Sequence, residues 1–270
     1  MCKHSVQINL KTAMLVASLW TCHTGAQAQV VFQFEASKNV TTTGTNLTWQ
    51  SLSRAGTTQP PRLLADTADW QFKTQNGVAS VVNVKGPGAW PMEFEQGTPA
   101  HLTVRHIVAV VRTQPNIQGM ASIFTSTENF RVAGMPLNSI FSNKVARIDT
   151  GRYNGAAWKI DLVEGAPLKA NATHLLEITF SHDLPLNQLW VGSDPGRPDV
   201  WFRGFQGEYL ALTGWSEPPP PNVKDVVSRF LIQEHGLELP PPPFSLESLN
   251  LARSMGAQFG AKYGTRLLIW

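Results

Sequence analysis

Residues 201 to 237, WFRGFQGEYLALTGWSEPPPPNVKDVVSRFLIQEHGL, set a glycine-punctuated strand, a proline block and one amphipathic helix in a row, where an otherwise all-β chain ends. Phe205, Tyr209 and Ala211 interleave with Gln206, Glu208 and Leu210 as a strand, and Gly204 and Gly207 mark a tight entry or a close backbone approach. Pro218 to Pro221 stop that strand. Asn222 is placed to cap the helix, Asp225 sits three residues on in capping-box position, and Val223, Val226, Val227, Phe230 and Leu231 fall on one helical face. Gly236 suits the left-handed position just past the helix end.

Upstream the pattern is of short strands. Val30 to Glu35 alternates as a first strand, and Asn46 to Leu52 as a second with Trp49 on one side. Thr57 to Arg62, with Pro60-Pro61, reads as loop. Further strands are expected at Ala79 to Val84, Met92 to Glu95, His106 to Thr113, Ala121 to Thr125, Val145 to Asp149, Trp158 to Val163, His174 to Ser181 and Gln188 to Asp194. Their regular spacing, with Gly, Pro and Asn between, favours a sandwich over a parallel α/β fold. No period of about 20 to 50 residues recurs, which argues against a repeat array.

The segment from Val30 to Leu239 resembles the bacterial concanavalin A-like (laminin G-like) jelly-roll domains, which close on a strand of G-x-x-x-E type followed by a short amphipathic helix ending in Gly-Leu. HIVAVVRT (His106 to Thr113) is similar to a first core strand of that family. HLLEITFS followed by QLWVGSD is similar to its hairpin before the last strand, and Asn154-Gly155 to a frequent turn between two middle strands. The resemblance implies an all-β, concanavalin A-like jelly-roll sandwich of two antiparallel sheets with one C-terminal amphipathic helix. It also implies a binding role toward carbohydrate, and calcium at a loop rim.

The N-terminus predicts export. Lys3 and Lys11 flank the start of an apolar run, Ala13 to Trp20, too short to span a bilayer, and Ala26-Gln27-Ala28 offers the small residues a signal peptidase needs. The expected organisation is a signal peptide over 1–28, one domain over 29–239, a polyproline spacer over 240–243 and a tail over 244–270. The expected destination is the periplasm, the cell surface or the medium. Lipidation at Cys22 is disfavoured by the bulky Trp20 and Thr21 before it. Cys2 and Cys22 both lie in the removed segment, so the exported chain is expected to hold neither disulfide nor cysteine metal site. The formal net charge of +3 includes Lys3 and Lys11, which leaves +1 and no basic run, so no nucleic-acid partner is expected. No transmembrane span is expected in the mature chain. Pro240 to Pro243 favour a stiff polyproline II spacer. Gly256, Gly260 and Gly264 recur every four residues, but Gln258, Lys262 and Arg266 argue against a membrane helix there.

The chemistry points to binding rather than catalysis. A retaining glycosidase on this kind of sheet needs two carboxyls about 5 to 5.5 Å apart on alternate strand positions. No E-x-D-x-E or E-x-D-x-x-E is present. Asp161 with Glu164, and Glu93 with Glu95, come nearest, and only the second pair shares a strand face; such a pair is also what a solvated face looks like. No G-x-S-x-G is present either, and His101 and His106 point to opposite faces, so no catalytic residue is assigned. Sugar recognition needs an aromatic platform beside planar polar groups, and Arg147, Asp149, Arg152, Asn154 and Trp158 supply that mixture around one expected hairpin. Core packing of Trp158 beside a solvated turn is the alternative. Trp90, in the loop Gly86 to Pro91, is a second platform or a core cap. Asp194 and Asp199 bracket a Gly/Pro-containing loop suited to calcium, although Asp is also an ordinary turn former. The expected partner is a carbohydrate or an envelope protein, and the rival role is a structural or assembly module.

Overall fold

The strands pair into two antiparallel sheets that enclose an apolar core, as the strand pattern predicts. The structure, a computed structural model, describes residues 28–99, 101–115, 119–126, 137–142, 145–148, 157–164, 166, 168–193 and 204–238. The strands are β1 (Val30–Glu35), β2 (Val40–Thr43), β3 (Asn46–Gln50), β4 (Arg62–Asp66), β5 (Trp70–Gln75), β6 (Val78–Asn83), β7 (Met92–Phe94), β8 (Thr103–Thr113) and β9 (Gly119–Ser126). They continue as β10 (Leu137–Ser142), β11 (Val145–Ile148), β12 (Ala157–Ile160), β13 (Val163–Glu164), β14 (Leu168–Lys169), β15 (Thr173–Pro185), β16 (Leu189–Val191) and β17 (Gly207–Trp215). One helix, α1 (Pro221–Glu234), follows.

The eight-stranded sheet has the order β13-β12-β15-β8-β17-β6-β5, with β1 also paired to β17; the nine-stranded sheet has the order β14-β11-β10-β9-β16-β7-β4-β3-β2. Between them lies one apolar core that includes Phe32, Phe34, Trp49, Trp70, Phe124 and Tyr209. Phe34 packs its ring 5.3 Å from that of Trp49, and Trp70 lies 5.9 Å from Tyr209, distances at which tilted aromatic pairs attract. The buried Tyr209 hydroxyl donates to the Ile123 carbonyl at 2.7 Å, so the two sheets are also joined by a polar bond.

The outer face of the eight-stranded sheet is apolar too, and α1 covers it. Val227, Leu231 and Ile232 pack on Val108, Val110, Leu175, Leu210 and Trp215. Each such side chain fully buried is worth roughly 1.5 to 3 kcal/mol. Glu177 of β15 pins the helix further, accepting from Ser228 Oγ at 3.3 Å and pairing with Lys224 Nζ at 3.4 Å. Gly236, at φ +60°, ends the helix as expected: its N–H bonds to the Gln233 carbonyl and that of Leu237 to the Ile232 carbonyl, while Leu237 is buried in the same apolar cluster. Among the described residues no helix is long and apolar enough to cross a membrane.

Two local expectations are corrected. The helix starts at Pro221 rather than being capped by Asn222, with no side-chain cap bond; proline already has a helical φ and lacks the N–H that would need a cap. The expected hairpin of His174–Ser181 with Gln188–Asp194 does not form. β15 pairs with β8 and β12 in one sheet, and β16 with β7 and β9 in the other, because the one-turn helix Leu186–Gln188 carries the chain across the core.

Candidate functional site

Met92 and Phe94 of β7 are buried in the core, so Glu93 between them points to the outer face of the nine-stranded sheet. The same holds for Trp190, between the buried Leu189 and Val191 of β16. Register sets these outward residues in one row: Thr48 opposite Leu64, Leu64 opposite Glu93, Glu93 opposite Trp190 and Trp190 opposite Thr125. Directly opposed residues in an antiparallel ladder have Cβ atoms about 4.5 to 5.5 Å apart, so Trp190 is flanked at contact range by a carboxylate and a hydroxyl.

The polar groups of this face are unevenly satisfied. Arg62 donates Nε to Glu95 Oε2 at 2.8 Å, with Nη2 at 2.7 Å from the same oxygen. Thr125 is 1% exposed, and its Oγ1 has no hydrogen-bond partner. Off this face, in the one-turn helix immediately before β16, Gln188 also has a buried Oε1 without a hydrogen-bond partner. Although the Glu93 side chain is exposed, partial desolvation by its neighbours raises its pKa above the usual carboxylate value. An aromatic ring, a carboxylate and an unspent hydroxyl on one face are the chemistry of polar-ligand recognition.

Just before β7 lies Trp90, 51% exposed, so its ring faces solvent rather than capping the core. Its backbone is held from beneath. The Trp90 N–H donates to Asp69 Oδ2 at 2.9 Å, its carbonyl accepts from Trp70 Nε1 at 2.7 Å, and the buried Asp69 pairs through Oδ1 with Lys85 Nζ at 2.7 Å. Asn83, 1% exposed, clamps the turn before it. Its Nδ2 donates to the carbonyls of Gly86 and Phe205, at 2.9 and 2.8 Å, and its Oδ1 accepts from Lys85 N–H and Gly86 N–H, at 3.0 and 2.8 Å. Gly204 explains its glycine here: a Cβ would strike the Gly86 carbonyl oxygen, the close backbone approach its sequence position suggests. Ser193 Oγ donates to the Ala89 carbonyl at 2.5 Å, so both described ends of the 194–203 segment meet the Trp90 turn.

The residues picked from sequence distribute differently. Asp149, Arg152 and Asn154 lie outside the described residues, as do Asp194 and Asp199 with the calcium expectation they carried. The backbone of Arg147 is in β11, opposite Ile140, in the nine-stranded sheet, whereas Trp158 is in β12, opposite Ile178, in the eight-stranded one. No hairpin joins them. Trp158 is 5% exposed and belongs to the core, with a buried Nε1 that has no partner, so its ring is packed rather than presented. Asp161 occupies a tight turn and accepts from the Leu175 N–H at 3.0 Å, with His174 Nδ1 at 2.7 Å from its other oxygen. His101 is exposed, while His106 is buried on the outer face of the eight-stranded sheet, Nδ1 at 2.8 Å from Thr179 Oγ1. The sequence spacing puts Glu93 and Glu95 on one face, but it does not bring Trp190, Thr125 or Arg62 beside them. The alternation of Leu189-Trp190-Val191 contains the signal for the first of these, whereas the others need the register.

Comparison with protein-family models, with curated proteins and with solved structures finds no match to this chain.

Proposed function

We propose that this chain is an exported, non-catalytic binding protein that recognises a glycan or surface ligand through a concanavalin A-like jelly roll. The observation that carries the reading is the row Glu93, Trp190 and Thr125, an aromatic side chain flanked by polar groups on an outer sheet face. A pyranose presents apolar C–H faces and a belt of hydroxyls, so a ring beside a carboxylate and a hydroxyl meets both needs. The jelly-roll assignment is supported by the way the chain changes sheet after every one to three strands, from β4 to β5, β6 to β7, β7 to β8 and so on to β17. Trp90, two residues before β7, is a second exposed aromatic ring held by its turn. Calcium, if it takes part, belongs to the 194–203 segment through Asp194 and Asp199.

The exported chain, Gln29 to Trp270, applied to a glycan array with and without calcium tests this reading, with reducing-end release measured alongside. Saturable binding without release supports it. Release of reducing ends would move the assignment to hydrolysis by the Glu93 and Glu95 pair, and no bound glycan would favour the assembly role. That second reading has its own observation: β5 closes one edge of the eight-stranded sheet with Gln71 to Gln75 all exposed, Phe72 among them, an open ladder that another strand can extend.

A further inference from the structure

Among the described residues of β3, β4, β7, β9 and β16, charge on the outer face of the nine-stranded sheet is held by four side chains. Arg62 and Asp66 come from β4, Glu93 from β7 and Glu95 from just beyond it, while β3, β9 and β16 contribute none. Arg62 and Glu95 neutralise each other through two contacts to Glu95 Oε2. Asp66 accepts from the Ala68 N–H at 2.8 Å. Glu93 has no ion pair and no hydrogen bond to any described residue, although Trp190 and Leu64 stand directly beside it. Neighbouring groups partly desolvate it and raise its pKa, so a cation beside it would relieve a carboxylate that has no counter-charge among the described residues.

A carboxylate beside an indole is the pairing that receives a cation, because the ring face and the carboxylate attract the same positive group. Thr125, on the other side of Trp190, adds a hydroxyl with unused hydrogen-bonding capacity. We propose that this face takes a cationic amino sugar, a pyranose stacked on Trp190 whose free ammonium meets the Glu93 carboxylate. This deepens the glycan-binding reading and rests on it. A pyranose ring covers more of the indole face than an alkyl ammonium such as a lysine side chain does, which favours the sugar. The ammonium pairs with the ionised carboxyl, so affinity falls as the pH drops into the range where Glu93 takes up its proton.

Calorimetric titration of the exported chain with glucosamine oligomers, with N-acetylglucosamine oligomers of equal length and with poly-lysine tests the inference. The free amine is expected to bind about tenfold tighter than its acetylated counterpart, and Glu93→Gln to erase that preference. Trp190→Ala is expected to weaken both sugars. Glu93 is exposed, so Glu93→Gln should melt like the wild type, which separates binding from folding. An unchanged preference in Glu93→Gln, or equal affinity for the acetylated oligomer, overturns the inference. Poly-lysine bound as tightly and with the same dependence on Glu93 overturns the sugar assignment. Trp190-dependent binding of a neutral glycan with no amine preference leaves the glycan reading standing without this inference; no glycan binding at all removes both.

Discussion

Replacing Asn83 by alanine tests whether the Trp90 turn is held by that one side chain. An asparagine amide has two donors and two acceptor sites, and all four are in use: Gly86 and Phe205 carbonyls on Nδ2, Lys85 and Gly86 N–H groups on Oδ1. Alanine leaves the two N–H groups without these partners. The carbonyls are less affected, because Gly86 also accepts from Ala89 N–H at 3.2 Å and Phe205 from Gly207 N–H at 2.9 Å. At about 1 kcal/mol for each lost bond, with the cost falling mainly on the two donors, Asn83→Ala should destabilise the domain by about 2 to 4 kcal/mol. Urea unfolding followed by far-UV circular dichroism measures this at equilibrium, with an unchanged slope showing that the two-state comparison holds. Asn83→Asp should cost as much or more at neutral pH, since it keeps the acceptor side but turns a carboxylate oxygen toward two carbonyls. A loss below about 0.5 kcal/mol in Asn83→Ala would refute the assignment of the turn to this clamp.

Other consequences follow from burial. His106 is 2% exposed, and burial first, then Lys224 and Lys159, lowers its pKa from the ordinary 6.5 to about 4. The unfolded chain therefore takes up a proton near pH 6.5 that the folded chain refuses until about pH 4. The stability this group contributes is complete above 6.5 and is lost as the pH falls through that window, by about 3 kcal/mol in all. His106→Leu should flatten the difference in stability between pH 7 and pH 4 in denaturant titrations, whereas an unchanged acid slope would contradict the shift. Trp158→Ala should cost about 3 to 5 kcal/mol as a core truncation, whereas Trp158→Phe, which also deletes a buried donor without a partner, should cost much less in the same titrations.

How far the sequence reveals the fold depends on the strand. β1, β8 and β15 are legible because Val, Ile, Leu and Phe recur there, and β7 because Met92 and Phe94 flank Glu93. β5 was missed although Trp70, Phe72 and Thr74 alternate with Gln71, Lys73 and Gln75, and Asn76-Gly77 closes its hairpin to β6 with φ of 52° and 77°. That asparagine-glycine pair was a readable signal. The Asp161-Leu162 turn was not, because leucine at φ +68° is unfavourable on its own, and the backbone and His174 contacts to Asp161 that hold it come from β15. Sheet membership was equally hidden. β15 and β16 are neighbours in sequence with similar patterns, yet long-range pairing sends them to opposite sheets. The same limit applies to the site: alternation turns Trp190 outward, but only register puts Glu93 and Thr125 beside it. The platform chosen from composition, Trp158, lies under the sheet, because periodicity fixes which side of a strand a residue occupies but not which side is covered.

The central claim, that the outer face of the nine-stranded sheet binds glycan, is tested most directly by placing Trp190→Ala beside the wild-type exported chain on one glycan array. Thermal melting of both proteins shows whether the fold is kept. Loss of the wild-type signal in a variant that still melts cooperatively is the predicted result. A variant that keeps its fold and binds the same glycans as the wild type would contradict the account.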